Sequence, residues 1–204
     1  MSFPINLARA LAPVALVAAA APAQAQTSDL ARVESHLAAV QSMTASFVQT
    51  DARGRSARGT LQLKRPGRIR FEYQGQDVLL VANGSRLYFL DYEVGQKNNW
   101  DLNKTPLGIL LSANPDIRRI AKVIPQKDPR VLLVRAKDSR RPEFGALLLA
   151  FVRSPGAPGG LRLEGWTAID AQNKRTTVKL AGQRYNVAVP ESAFRFAEPQ
   201  KKRR

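Results

Sequence analysis

Cysteine is absent from the 204-residue chain. That excludes disulfides, thiolate metal sites and the lipid-attachment cysteine that would make the protein a lipoprotein itself. Histidine occurs once, as His36, so the common zinc ligand sets cannot be assembled, and His36 reads as an ordinary helix residue. No G-x-S-x-G elbow, phosphate loop or dinucleotide fingerprint is present, which removes the usual supports of nucleophilic and nucleotide chemistry. Asp91 and Glu93 share one strand face, but two carboxylates beside a turn are ordinarily just solvated. The chain is therefore read as no enzyme, with no metal and no cofactor.

Long apolar runs are also missing, with one short exception. Arg9 is followed by an unbroken apolar stretch from Ala10 to Ala21, then by Ala23-Gln24-Ala25, whose small residues fit a signal-peptide cleavage site. The run is about twelve residues where a bilayer span needs about 20. Residues 1–25 are thus expected to be a cleaved leader, with a mature N-terminus at Gln26 in the periplasm. Residues 26–200 suit one domain, and 201–204 form a basic tail, Lys201-Lys202-Arg203-Arg204.

Acidic residues are scarce: 16 Asp and Glu stand against 32 Lys and Arg, a net charge of +16. In a cytosolic protein that balance would suggest nucleic acid. An exported basic protein instead meets anionic lipid headgroups and acidic partner surfaces. Arg68, Arg70 and Arg86 interleave with Phe71, Tyr73, Tyr88, Phe89 and Tyr92, a mixture able to stack single-stranded nucleic acid. Strand alternation argues against it, because Ile69, Phe71 and Tyr73 point to one face and Arg68, Arg70 and Glu72 to the other.

What the chain does have is period-two patterning. Ser28 and Asp29 offer a cap to a short amphipathic helix carrying Leu30, Val33, Leu37 and Val40 on one face. From Met43 the period changes to two, giving strands over Met43 to Thr50, around Leu61 and Leu63, over Ile69 to Tyr73, Val78 to Ala82 and Leu87 to Asp91, with Asn83-Gly84 as a hairpin signal. Pro106 opens a helical turn bearing Leu107, Ile109, Leu110 and Leu111, and Asn114-Pro115 stops it and restarts a second short helix at Asp116 to Ala121. Strands resume at Val131 to Ala136, Phe144 to Val152, Leu161 to Ile169 and Thr176 to Leu180. The fold class is mainly β (α+β). About ten antiparallel strands are more than an open twisted sheet holds comfortably, so the sheet should curl into an incomplete barrel lidded by short helices. If the helices cover its mouth without filling it, an apolar cavity remains, lined by Phe47, Leu61, Leu63, Ile69, Phe71, Tyr73, Leu87 and Phe89.

Arg65 is in phase with Leu61 and Leu63, so its guanidinium starts at the rim of the apolar face and needs acceptors. Carbonyls of the covering insertion would make it a latch; an arginine that snorkels to solvent from the strand end is the other reading.

Ala45-Ser46-Phe47-Val48-Gln49-Thr50, Gly59-Thr60-Leu61-Gln62-Leu63-Lys64-Arg65-Pro66, Ile69 to Tyr73, and Val78 to Gly84 followed by Leu87-Tyr88-Phe89 together resemble the core of the outer-membrane lipoprotein carrier family. Thr105-Pro106-Leu107 resembles the start of that family's lid helix. The resemblance covers residues 29–114 closely and the remainder by strand pattern. It implies a periplasmic shuttle whose cavity shelters the acyl chains of lipid-modified proteins. Its partners would be an inner-membrane ABC-type release complex and, where one is used, an outer-membrane receptor, with no nucleic acid and a monomeric carrier. It also implies that Arg65, preceding a proline, bonds the lid backbone in the closed state. The Pro-Gly-rich loop after Val152 and the basic tail depart from the family pattern. The alternative is a periplasmic lipid-binding or envelope-sensing module of the same fold without a transport role.

Overall fold

The computed structural model of the chain describes residues 21–113 and 117–200, with side chains from residue 28 onward. Residues 1–20, which hold most of the expected leader, and the tail 201–204 lie outside the described residues.

One sheet of eleven antiparallel strands organises the described residues. The N-terminal meander is β1 (Ser42–Thr50), β2 (Ser56–Lys64), β3 (Arg68–Tyr73), β4 (Val78–Asn83), β5 (Arg86–Asp91) and β6 (Gln96–Asp101). The C-terminal one is β7 (Ala121–Ile124), β8 (Val131–Ala136), β9 (Ala146–Arg153), β10 (Leu161–Ile169) and β11 (Arg175–Tyr185). The spatial order β6-β5-β4-β3-β2-β1-β11-β10-β9-β8-β7 makes β1–β11 the one ladder between the meanders. β6 and β7 do not pair, so the curved sheet remains an incomplete barrel. Both edge strands escaped the sequence reading, because the polar run Gln96 to Asp101 and the four residues of β7 lack a period-two apolar signal.

Two bulges sharpen the curvature, at Thr44/Ser46 against β11 and at Leu163/Gly165 against β9. Gly165 sits at φ 149°, and a Cβ there would lie 2.0 Å from the Val178 carbonyl oxygen, so no other residue fits this close approach of β10 and β11.

The helices differ from expectation at their ends. α1 spans Ala21–Ala39, running through Ser28 and Asp29 rather than starting there. The charge of Asp29 goes instead to Arg153, 2.7 Å away. α2 covers Leu107–Leu111 with Pro106 at its N-cap, as expected of that proline. The second helix expected at Asp116 to Ala121 is not formed by its described part: Ile117 to Ile120 make a turn, closed by Ala121 N–H donating to the Ile117 carbonyl at 2.7 Å, and Ala121 opens β7. Likewise Phe144 belongs to a 3-10 turn (Pro142–Phe144) ahead of β9, because Gly145 at φ 73° reverses the chain between them.

The core has two parts. The main cluster lies on the concave side, where inward residues of β1–β3 and β8–β11 meet Val33 and Leu37 of α1, Val40 just after it, and Leu107, Leu110 and Leu111 of α2. The second lies outside the sheet: residues 187–198 strap the convex side of β3–β5, burying Val189 and Phe194 against Leu79, Val81 and Leu90. Ion pairs and hydrogen bonds hold this strap, from Lys64 and Arg68 to Glu191 (2.7 and 3.1 Å), from Arg70 to the Ala193 and Arg195 carbonyls (3.2 and 3.1 Å), and from Lys97 to Glu198 (2.5 Å).

Candidate functional site: the lidded concave face

Strand parity puts every second residue of β1–β5 inward. Phe47, Leu61, Leu63, Ile69, Phe71 and Leu87 are accordingly all buried in the concave cluster. Cross-strand register sets them side by side: Leu61 faces Phe71 and Leu63 faces Ile69. Phe47 meets Phe71 and Tyr73 edge to face, with centroids 5.1 and 5.3 Å apart, and Trp166 of β10 closes the row at 6.1 Å from Phe71. Trp166 was not among the expected lining residues, although β10 alternation places it inward.

Tyr73 and Phe89 stand apart from the rest. Both are half-buried at the end of the concave face away from α2, where with Gln49, Ala57 and Val78 they line a groove of about 330 Å³. The Tyr73 hydroxyl donates to Gln49 Oε1 at 2.9 Å, and burial pushes its phenol up to about 12. Trp100 lies opposite Leu87 across β5–β6 and is 47% exposed, leaving an aromatic ring on the concave side of the open edge.

The expected lid residues are gathered as a lid. Leu107, Leu110 and Leu111 face the core while Ile109 packs at its margin. On the far side of α2 a groove of about 460 Å³ runs between Pro106, Ile109, Ile117, Ile120 and Phe144. Few polar bonds hold the lid to the sheet. A main-chain bond from Gly67 N–H to the Leu111 carbonyl, 2.9 Å, ties the β2–β3 turn to the end of α2. Side chains of both helices thus pack directly on the concave face, Val33 and Leu37 from α1 and Leu107, Leu110 and Leu111 from α2.

Arg65 is where its phase puts it, 8% exposed at the end of β2. Its main-chain N–H donates to the Gln41 carbonyl at 2.8 Å. Its side chain, however, leaves Nε and Nη1 buried with no hydrogen-bond partner, and burial lowers the guanidinium to about 10. The bond that joins this turn to the lid is thus a main-chain one from Gly67, two residues on.

His36 is the polar residue whose role helical spacing did not reveal. It is 1% exposed on α1, with Nδ1 2.8 Å from the Pro158 carbonyl and its ring edge-on to Phe151 (5.2 Å) and Tyr185 (5.6 Å). Burial lowers its pKa, and the nearby positive charge of Arg65 lowers it further against the raising effect of the Pro158 bond. Glycine lets the Pro-Gly loop come this close: a Cβ on Gly159 (φ 63°) would lie 2.5 Å from His36 N. Loop, His36 and the Asp29–Arg153 pair clamp α1 across the barrel. Among the described residues no cluster of three or more His, Cys, Asp or Glu could hold a metal ion.

Comparison with known proteins agrees with this architecture. Residues 38–197 match the family model of the outer membrane lipoprotein carrier protein LolA. An outer-membrane lipoprotein carrier protein of Chromobacterium violaceum is 26% identical over 196 residues, covering 91% of each chain. One of Pseudomonas entomophila is 29% identical over 209 residues, covering 94% of this chain and 95% of its own. Among solved structures, a DUF1329 family protein from Desulfovibrio piger superposes with a TM-score of 0.54 at 8% identity, over 88% of this chain and 99% of that one, a likeness of fold alone. With a family match spanning both meanders, the lid and the convex strap, the chain belongs to the outer membrane lipoprotein carrier protein family.

Proposed function

We propose that the protein is a periplasmic carrier that takes lipid-modified proteins from an inner-membrane ATP-driven release complex and passes them to the outer membrane, as a monomer without catalysis. Residues 1–25 serve as the export leader, and 26–200 form the carrier domain. The observation that carries this reading is the concave face itself: a continuous apolar surface covered by helices that hold it through side-chain packing and little main-chain bonding. Such a lid can leave without breaking the sheet ladders. Acyl chains replacing α2 would meet Leu61, Leu63, Ile69 and Phe71, with Phe89 and Trp100 offering the first apolar contact at the open edge. Each methylene buried gains about 0.8 kcal/mol, ample affinity for cargo, and closing the lid again offsets part of it on release.

Arg65 is proposed to govern exchange. A buried cation interrupts an otherwise apolar wall against which acyl chains lie, which weakens the hold on cargo. Replacing it with leucine should extend that wall and slow unloading more than loading.

The experiment is mass spectrometry of material that purifies with the protein from its native envelope. Intact lipoproteins with their acyl chains are expected. Free lipid without protein would indicate instead a lipid-binding or sensing module of the same fold, and an empty protein that also fails to take acylated cargo in vitro would remove the carrier reading.

A further inference from the structure

The strap covers the convex side of β3–β5 and reaches Ser42 and Lys64 at one end of β1 and β2, whereas the convex side of β7–β11 and the rest of β1–β2 have no strap over them among the described residues. Strand register makes the outward positions there easy to follow. One row crosses seven strands as Ile124, Leu133, Ala150, Gly165, Lys179, Val48 and Arg58, each directly opposite the next. The row beside it runs Lys122, Arg135, Leu148, Thr167, Thr177 and Thr50. At about 4.8 Å between strands the longer row spans roughly 29 Å.

Two properties distinguish this band. Its floor is aliphatic or small: Leu133, Leu148 and Ala150 are half-buried and Val48 is 46% exposed. Because Gly165 has no side chain, the floor dips into a trough of about 310 Å³, which meets at Lys179 a second of about 610 Å³. The charge of the two rows is of one sign. Arg58, Lys122, Arg135 and Lys179 are exposed, none has an ion-pair or side-chain hydrogen-bond partner among the described residues, and neither row contains an acid. The acids at the margin, Glu72 and Glu164, are held by Arg70 and Arg162 on their own strands, at 2.7 and 2.5 Å. Lys122 and Arg135 even face each other directly, an arrangement that weakens a sheet unless something anionic lies over it.

We infer that this convex band docks the protein on an anionic phospholipid bilayer, with its aliphatic floor against the interfacial region and the four cations among lipid phosphates. A folded acidic protein is the rival occupant. The band is less suited to one, since it has no aromatic anchor of the kind that concentrates binding energy between proteins. Diffuse cations over small aliphatic residues suit a surface whose charge is itself diffuse.

The test is co-sedimentation of the exported protein with vesicles of phosphatidylcholine alone or with one third phosphatidylglycerol. Binding should be at least tenfold stronger to the anionic vesicles and weaken with salt. Lys122→Glu, Arg135→Glu and Lys179→Glu together should lower it by about a hundredfold. The corresponding glutamine set, which adds no new charge, should lower it about tenfold or more and serves if the glutamates disturb the strands. A control set with the same change of net charge elsewhere, Arg53→Glu, Arg86→Glu and Lys104→Glu, should stay within a few-fold of the parent. Equal losses in band and control sets would reduce the effect to net charge and overturn the proposal. So would equal binding to neutral vesicles, or binding to an acidic protein with none to vesicles.

Discussion

His36 is sealed between α1, the Pro158 carbonyl and two aromatic rings, and its protonation has a defined thermodynamic sign. Its pKa is lowered in the folded protein, chiefly by burial, so the unfolded chain binds the proton more readily. Stability is then complete above the ordinary imidazole value of about 6.5 and falls as the pH drops from there through the folded value. Thermal melts between pH 7.5 and 5 should show the parent losing stability faster than His36→Gln; parallel curves would mean that the imidazole reaches water. Arg65 makes the opposite kind of prediction. Its two orphaned donors leave a penalty of about 1–3 kcal/mol that an apolar side chain of similar length does not carry. Arg65→Met should therefore raise the melting temperature, by about 2–4 °C per kcal/mol in a chain of this size. A lower melting temperature would show that the guanidinium finds partners in solution. The inward phase of Arg65 was legible from Leu61 and Leu63. Its lack of acceptors was not, because partners lie on elements distant in sequence.

At the scale of elements, the strap shows what periodicity leaves out. Residues 187–198 have neither helical nor strand period, yet Phe194 is 2% exposed, and its burial gives β4 and β5 a second covered face. The apolar runs Val78 to Ala82 and Leu87 to Leu90 carried that message, since a strand with only one buried face alternates whereas these bury residues on both sides. Phe194→Ala should destabilise the protein by about 3–5 kcal/mol in denaturant titration and expose 187–198 to protease before the sheet unfolds. If the strap were cut at the parent rate, its anchoring would rest on its ion pairs and hydrogen bonds rather than on the burial of Phe194. The lid was legible for the reverse reason: Pro106 and a run of leucines mark a helix start locally. The second helix expected after Pro115 gave way, over its described part, to a turn leading into β7, whose Val123 and Ile124 pair with Val134 and Leu133.

For the whole molecule the order of strands matters more than their number. The two meanders are contiguous in sequence and meet at β1–β11, with no strand exchanged between them. A protease site placed at Ser112-Ala113 should therefore leave two fragments that co-elute in native buffer and separate only in denaturant; separation without denaturant would mean that the β1–β11 ladder and shared core cannot hold the halves. Composition and period, which are properties of neighbouring residues, determined by themselves the β class, the inward set from Phe47 to Leu87, the lid leucines and the absence of metal-thiolate chemistry, and the ordered motifs pointed to the family. Tertiary structure decided what depends on residues far apart in the chain. It closed β1 onto β11, set the strap on the convex face, and locked His36 against a loop more than a hundred residues away. It also brought Lys179 into one row with Arg58 on an uncovered surface. Local sequence carries phase, while register between distant strands follows from which pairing buries the most apolar surface, and that is settled only when the whole sheet forms.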